Sequence, residues 1–120
     1  MFCARRGCNM RLEDQVRVNH MVEAAGDAAQ FIVGRTRADL DTDRMLLFAL
    51  IRCVEIIGEA ARQVTDETRT LCEDIPWNAI AGMRNRLIHA YFDVDAELVW
   101  KTVTVELPVL TARLRKLQAA

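Results

Sequence analysis

Arg84, Asn85 and His89 are the residues whose types and spacing could do chemistry on a phosphate. An arginine stays cationic and offers a planar fork of donors suited to carboxylate or phosphate. An imidazole ordinarily titrates at about pH 6.5, so it can take up and release protons near neutrality. Asn85 could orient His89 or bind a phosphate itself. Asn85 and His89 stand four apart and would touch on one helix. Arg84 and His89 stand five apart, about 140° round an ideal helix, so a shared site needs a bend or a second chain. Arg86 is a further candidate phosphate contact. The blander reading of Arg84 is a structural ion pair, and that of His89 a satisfied core or surface group.

The element carrying these residues reads as a helix from Pro76 to about Tyr91, since proline suits the first helical position. Trp77, Ile80, Ala81, Leu87, Ile88 and Tyr91 share one face, with Arg84 in its middle. A guanidinium there costs several kcal/mol to desolvate unless paired, and Glu55 and Glu59 are the obvious partners. Asn78, Gly82, Asn85 and His89 form a second stripe, and at Gly82 another backbone or a phosphate could approach.

The remaining elements are helices too. Val18, Met21, Val22, Ala25, Ala28, Ala29 and Ile32 give residues 12–33 one apolar face, and Gly34 is placed to end it. Residues 44–64 are the most apolar helix, with Leu46, Leu50, Cys53, Ile57, Ala60 and Val64 as its stripe and Asp41 or Thr42 as its N-cap. Residues 66–72 can add a short turn. Asp93 and Asp95 offer a turn and N-cap for a last helix over 96–117, which Pro108 should kink. No alternating strand pattern is present. The expected fold is all-α, an up-and-down bundle of four long helices with a short extra one. Residues 1–10 read as a mobile tail, with Met10 an alternative start, and 11–120 as the domain.

Composition narrows the classes. The 120 residues suffice for one core, and 52 % apolar content excludes a mainly disordered chain. The longest apolar run, Met45 to Ile51, is far too short to span a membrane. Cys3, Cys8, Cys53 and Cys72 contain no C-x-x-C, which points to reduced thiols in a cytoplasmic protein without zinc or disulfides. Neither His20 nor His89 follows a Glu at the spacing of di-iron bundles. Seventeen acids face 16 bases, for a net charge of -1. Lys101 and Lys116 are the only lysines, leaving 14 arginines among the 16 bases. A neutral, Arg-rich chain suits a small phosphate site better than a long coating groove.

The run Arg84-Asn85-Arg86-Leu87-Ile88-His89-Ala90-Tyr91 resembles the R-N-x-x-x-H-x-Y motif of the HepT-like branch of HEPN domains. Asp43 to Leu46, Glu55 to Ala61, Ile75 to Trp77 and Tyr91 to Asp95 extend the resemblance over about residues 12–117. The resemblance implies a HEPN-like fold and a homodimeric, metal-independent endoribonuclease toxin acting on mRNA or tRNA without a cofactor. It makes Arg84 and His89 the catalytic pair and Asn85 their polar neighbour. It also implies an MNT-type nucleotidyltransferase antitoxin that adenylylates Tyr91. The RNA 2′-OH would attack the adjacent phosphate, giving a 2′,3′-cyclic phosphate. The competing expectation is a non-enzymatic helical partner that binds a nucleotide or a nucleotidyltransferase. The net charge of -1 leans that way, because RNA binding favours basic surface.

Overall fold

The computed structural model describes residues 10–90 and 93–119, so the expectations for Cys3, Cys8, Tyr91 and the first nine residues lie outside it. Helix α1 runs Leu12–Phe31, the short α2 Asp39–Thr42, α3 Arg44–Gln63 and α4 Asp66–Leu71. Two short helices follow, α5 over Trp77–Ala81 and α6 over Met83–Leu87. A hairpin of β1 (Ile88–Ala90) and β2 (Asp93–Val94) leads into α7, Ala96–Lys101. A wider π-helical turn over Thr102–Glu106 connects α7 to α8, Leu107–Gln118. Among the described residues the fold is all-α apart from that two-stranded antiparallel sheet, in which Ile88 faces Val94 and Ala90 faces Asp93.

The apolar stripes account for the core. Leu46, Leu50, Cys53, Ile57, Ala60 and Val64 of the α3 run are all buried. So are Val99, Val103, Leu107, Leu110, Leu114 and Leu117 of the last helical stretch, and Val18, Met21, Ala25 and Ala28 of α1. Burial pushes the Cys53 thiol up to about 11, which makes it a poor nucleophile at neutral pH. Met10, which the sequence pattern leaves in the tail, is buried, and its carbonyl accepts a 2.8 Å bond from the Gln15 side chain. Gly34 has φ 73°, the left-handed geometry that lets the chain turn away after α1. Among the described residues, no helix is long and apolar enough to cross a membrane.

The start of α3 and the course of the motif segment differ from expectation. The N-cap of α3 is Asp43, not Asp41 or Thr42, and its carboxylate accepts from the Leu46 amide at 3.0 Å. Arg35 draws Asp43 into place at 2.6 Å, while Asp41 and Thr42 belong to α2. Pro108, expected to kink the last helix, directly follows the π-turn, where regular α-helical bonding is interrupted before it restarts at Leu107. Proline then sits in a first turn, where its missing N–H is not needed.

The largest correction concerns the motif segment. Residues 76–90 do not form the long helix expected over 76–91. The run breaks at Gly82, where the Asn85 amide bonds the Gly82 carbonyl at 3.1 Å, and it becomes extended at Ile88. The Asp95 amide, bonded to the Leu87 carbonyl at 2.8 Å, fixes that exit. The bundle therefore has three long helical stretches, and a broken fourth segment carries the motif.

The close approach expected at Gly82 is found at Gly58. A Cβ at Gly58 would stand 3.3 Å from the Ile80 carbonyl oxygen and 3.4 Å from that of Ala81. A Cβ at Gly82 would make only ordinary contacts. Gly58→Val should therefore force α3 and α5 apart and destabilise the fold by about 1–3 kcal/mol, read as a lower urea midpoint.

Candidate active site

The break at Gly82 decides where the motif side chains go. Ile80, Met83 and Leu87 take the buried positions, and Arg84 turns outward with its side chain 47 % exposed. Its Nε donates to Glu55 at 3.2 Å, so Glu55 is the partner that the charge pattern anticipated. Glu59 pairs instead with Arg62, one turn further along α3. The expected cost of a buried guanidinium does not arise, because an exposed pair of this kind contributes at most about 1 kcal/mol.

Glu55 has a second cation. Arg52 donates to its other oxygen at 2.8 Å. The hydrogen bond from Arg52, and next that from Arg84, hold the Glu55 carboxyl below its ordinary range despite partial burial. These groups surround a cleft of about 400 Å³ between α3 and the broken segment. Arg52, Glu55, Gly58, Glu59 and Arg62 form one wall, and Ala81, Arg84 and Asn85 the other. Arg62 also donates to the Ala81 carbonyl at 3.0 Å, tying α3 to the end of α5. Arg69 caps α3 through the Ala61 carbonyl at 2.9 Å and reaches Asn78 at 3.0 Å. Asn78 is thus a brace of the motif segment. Neither arginine brace stands out in the sequence, where charged residues near a helix end read as solvated surface.

Arg86 and His89 lie elsewhere. Arg86 lines a separate groove of about 290 Å³ against the π-turn and α8, with a 3.4 Å bond to the Ala79 carbonyl. His89 is exposed on β1, with half-buried Ile88 and Ala90 on either side. It does not line the Arg84 cleft, and the helical pairing expected between Asn85 and His89 does not form because α6 ends at Leu87. One chain brings Arg84 and Asn85 together and leaves His89 on the adjoining strand.

Residues 21–117 match the family model described as Ribonuclease HepT-like. The chain belongs to the HepT-like ribonuclease family. It is 40 % identical over 101 residues to the protein named Probable ribonuclease HepT of Thermococcus cleftensis, covering 81 % of this chain and 92 % of that one. A protein of Methanocaldococcus jannaschii named as an RNase is 36 % identical over 88 residues, 73 % of this chain and 81 % of its own. Another RNase-named protein, from Caldanaerobacter subterraneus, is 33 % identical over 100 residues, 83 % and 89 % of the two chains. No solved structure is a significant match. For a ribonuclease, the cleft and the strand beside it are the natural place to look for the chemistry.

Proposed function

We propose that this ribonuclease is a metal-independent endoribonuclease toxin whose reacting groups are Arg84, Asn85 and His89. The observation that carries the reading is the pairing of a cationic fork and an amide on one cleft wall with an exposed imidazole on the next strand. RNA supplies the nucleophile. The 2′-oxygen attacks the adjacent phosphorus, the bond to the 5′-oxygen breaks, and a 2′,3′-cyclic phosphate and a 5′-hydroxyl result. His89 accepts the 2′-hydroxyl proton, and the imidazolium so formed returns a proton to the leaving 5′-oxygen. Arg84 stabilises the charge gathering on the phosphoryl oxygens. Asn85 binds the phosphate or orients the imidazole.

The separation of Arg84 from His89 within one chain favours a homodimer as the working unit. Met45 and Phe48 are 83 % and 50 % exposed on the face of α3 that continues into Arg52 and Glu55. A second copy covering them would bring the two motifs together, with about 1,200 Å² or more buried. Antitoxin control through Tyr91 completes the proposal. An AMP group on that tyrosine adds negative charge and bulk two residues past His89, competing with RNA for the same cations.

Purified chain should cleave tRNA or mRNA in EDTA and leave 2′,3′-cyclic ends, and should sediment as a dimer. Cleavage that stops in EDTA and returns with a divalent cation would sink the metal-independent reading. Co-expression with a cognate nucleotidyltransferase should add AMP at Tyr91, and Tyr91→Phe should stay active and escape control. A silenced Tyr91→Phe would point to steric masking instead.

A further inference from the structure

The arginines on the α3 wall of the cleft have no part in the chemistry above. Arg52 and Arg62 flank Glu55 and Glu59, and at roughly 100° per residue all four fall within about 80° of one helix face. Ten residues separate the two arginines, which places their Cα atoms about 15 Å apart along the axis, with Arg84 facing the interval from across the cleft. A single phosphate cannot reach both. Their side chains are 66 % and 54 % exposed.

Each is tied to a carboxylate three residues away on its own helix, Arg52 to Glu55 and Arg62 to Glu59. Such pairs are worth only tenths of a kcal/mol and yield readily to a competing anion. A guanidinium has five N–H donors, so one carboxylate does not exhaust it. The cleft carries three arginines against two glutamates, a local excess of one positive charge in a chain whose net charge is -1.

We propose that Arg52 and Arg62 are phosphate-binding positions for single-stranded RNA, holding the backbone on either side of the phosphate at Arg84. In the free protein, Glu55 and Glu59 occupy the donors that RNA phosphates take over. This rests on the ribonuclease reading of the cleft, but its test does not depend on cleavage. Arg86, the further candidate phosphate contact, lines another groove and is not part of this set.

The experiment measures binding of a 2′-O-methyl RNA 12-mer, which lacks the nucleophile, to the full chain across a salt series. Removing the partner of one phosphate should reduce the slope of log K against log salt by about 0.7. Arg52→Gln should show that reduction, and so should Arg62→Gln. Glu59→Gln should bind more tightly than wild type. Arg115→Gln, on α8 outside the cleft, should match wild type. Arg62→Gln also loses the bond to Ala81, so if it unfolds, Arg52→Gln, whose bond is to its own helix, decides the matter. An unchanged slope in Arg52→Gln, an equal loss in Arg115→Gln, or no binding by wild type overturns the proposal. A chain that binds as expected but does not cleave rejects the catalytic roles and keeps this one.

Discussion

His89→Ala should lower RNA cleavage by about 10²–10⁴-fold, the range expected when a positioned proton-transfer group is lost. The fold should survive, because His89 is exposed on an edge of a two-stranded hairpin and is no part of the core. Arg84→Ala should cost about 10²–10³-fold through loss of charge stabilisation. It should also leave the fold intact, because Glu55 retains its 2.8 Å bond to Arg52. The double variant should be little worse than either single one, as groups acting in one step are not additive. Mixing the two inactive variants tests whether the site is shared between chains. If each site takes Arg84 from one protomer and His89 from the other, a mixed dimer has one intact site, and an equal mixture recovers about a quarter of wild-type activity. If both residues act from the same chain, every site carries a lesion and mixing recovers nothing. Full cleavage by folded His89→Ala would remove the imidazole from the mechanism.

The geometry behind that experiment was only half legible in the sequence. The stripes of α3 and the last helix were readable because burial follows the 3.6-residue period wherever a helix is regular. Residues 76–91 follow the same period on paper. Gly82 and Ile88 nevertheless break the segment, and the bond that fixes the exit comes from Asp95, beyond the segment itself. A periodicity count cannot see a hydrogen bond from the next element. For the same reason it could not show that Met83 would take the core position and send Arg84 out. The partnership of Arg84 with Glu55 was legible, since charge complementarity narrowed it to two glutamates. Choosing between them required knowing that Arg62 claims Glu59. Gly58 was hidden because a glycine inside a strong helix gives no sign of which backbone it lets approach.

Asp14 is the least legible residue and should have the largest effect on stability. In the sequence it is an acid in the first turn of a helix, a position where acids are common for electrostatic reasons. In the structure it is fully buried and reaches across to the start of α4. Its carboxylate accepts the Thr65 amide at 3.1 Å, the Thr65 hydroxyl at 2.6 Å and the Thr68 hydroxyl. Thr65 is the N-cap residue of α4 but makes no capping bond with its own side chain, so Asp14 supplies the acceptor from 51 residues away. Asp14→Ala removes bonds to a charged acceptor and leaves the buried Thr68 hydroxyl without this partner, a loss of about 3–4 kcal/mol. That is a large share of a typical stability of about 5–15 kcal/mol. Asp14→Asn keeps one acceptor oxygen but turns an amide N–H₂ toward the hydroxyls, so its loss should be smaller. Burial alone would raise the Asp14 carboxyl, but the bonds from the Thr65 and Thr68 hydroxyls and the Thr65 amide outweigh it and lower the value below 3.8. A carboxyl lowered by folding stabilises the protein above its unfolded value and loses that contribution as pH falls through the folded one. Urea unfolding should therefore show a wide gap between wild type and Asp14→Ala at pH 7. The gap should narrow below about pH 4 as Asp14 takes up its proton. Comparing the two proteins at each pH cancels the common background from Asp39, Asp43 and Glu55, whose carboxyls folding also lowers. A gap that stays constant into strong acid would mean that the threonines, and not the charge on Asp14, hold α4 against α1.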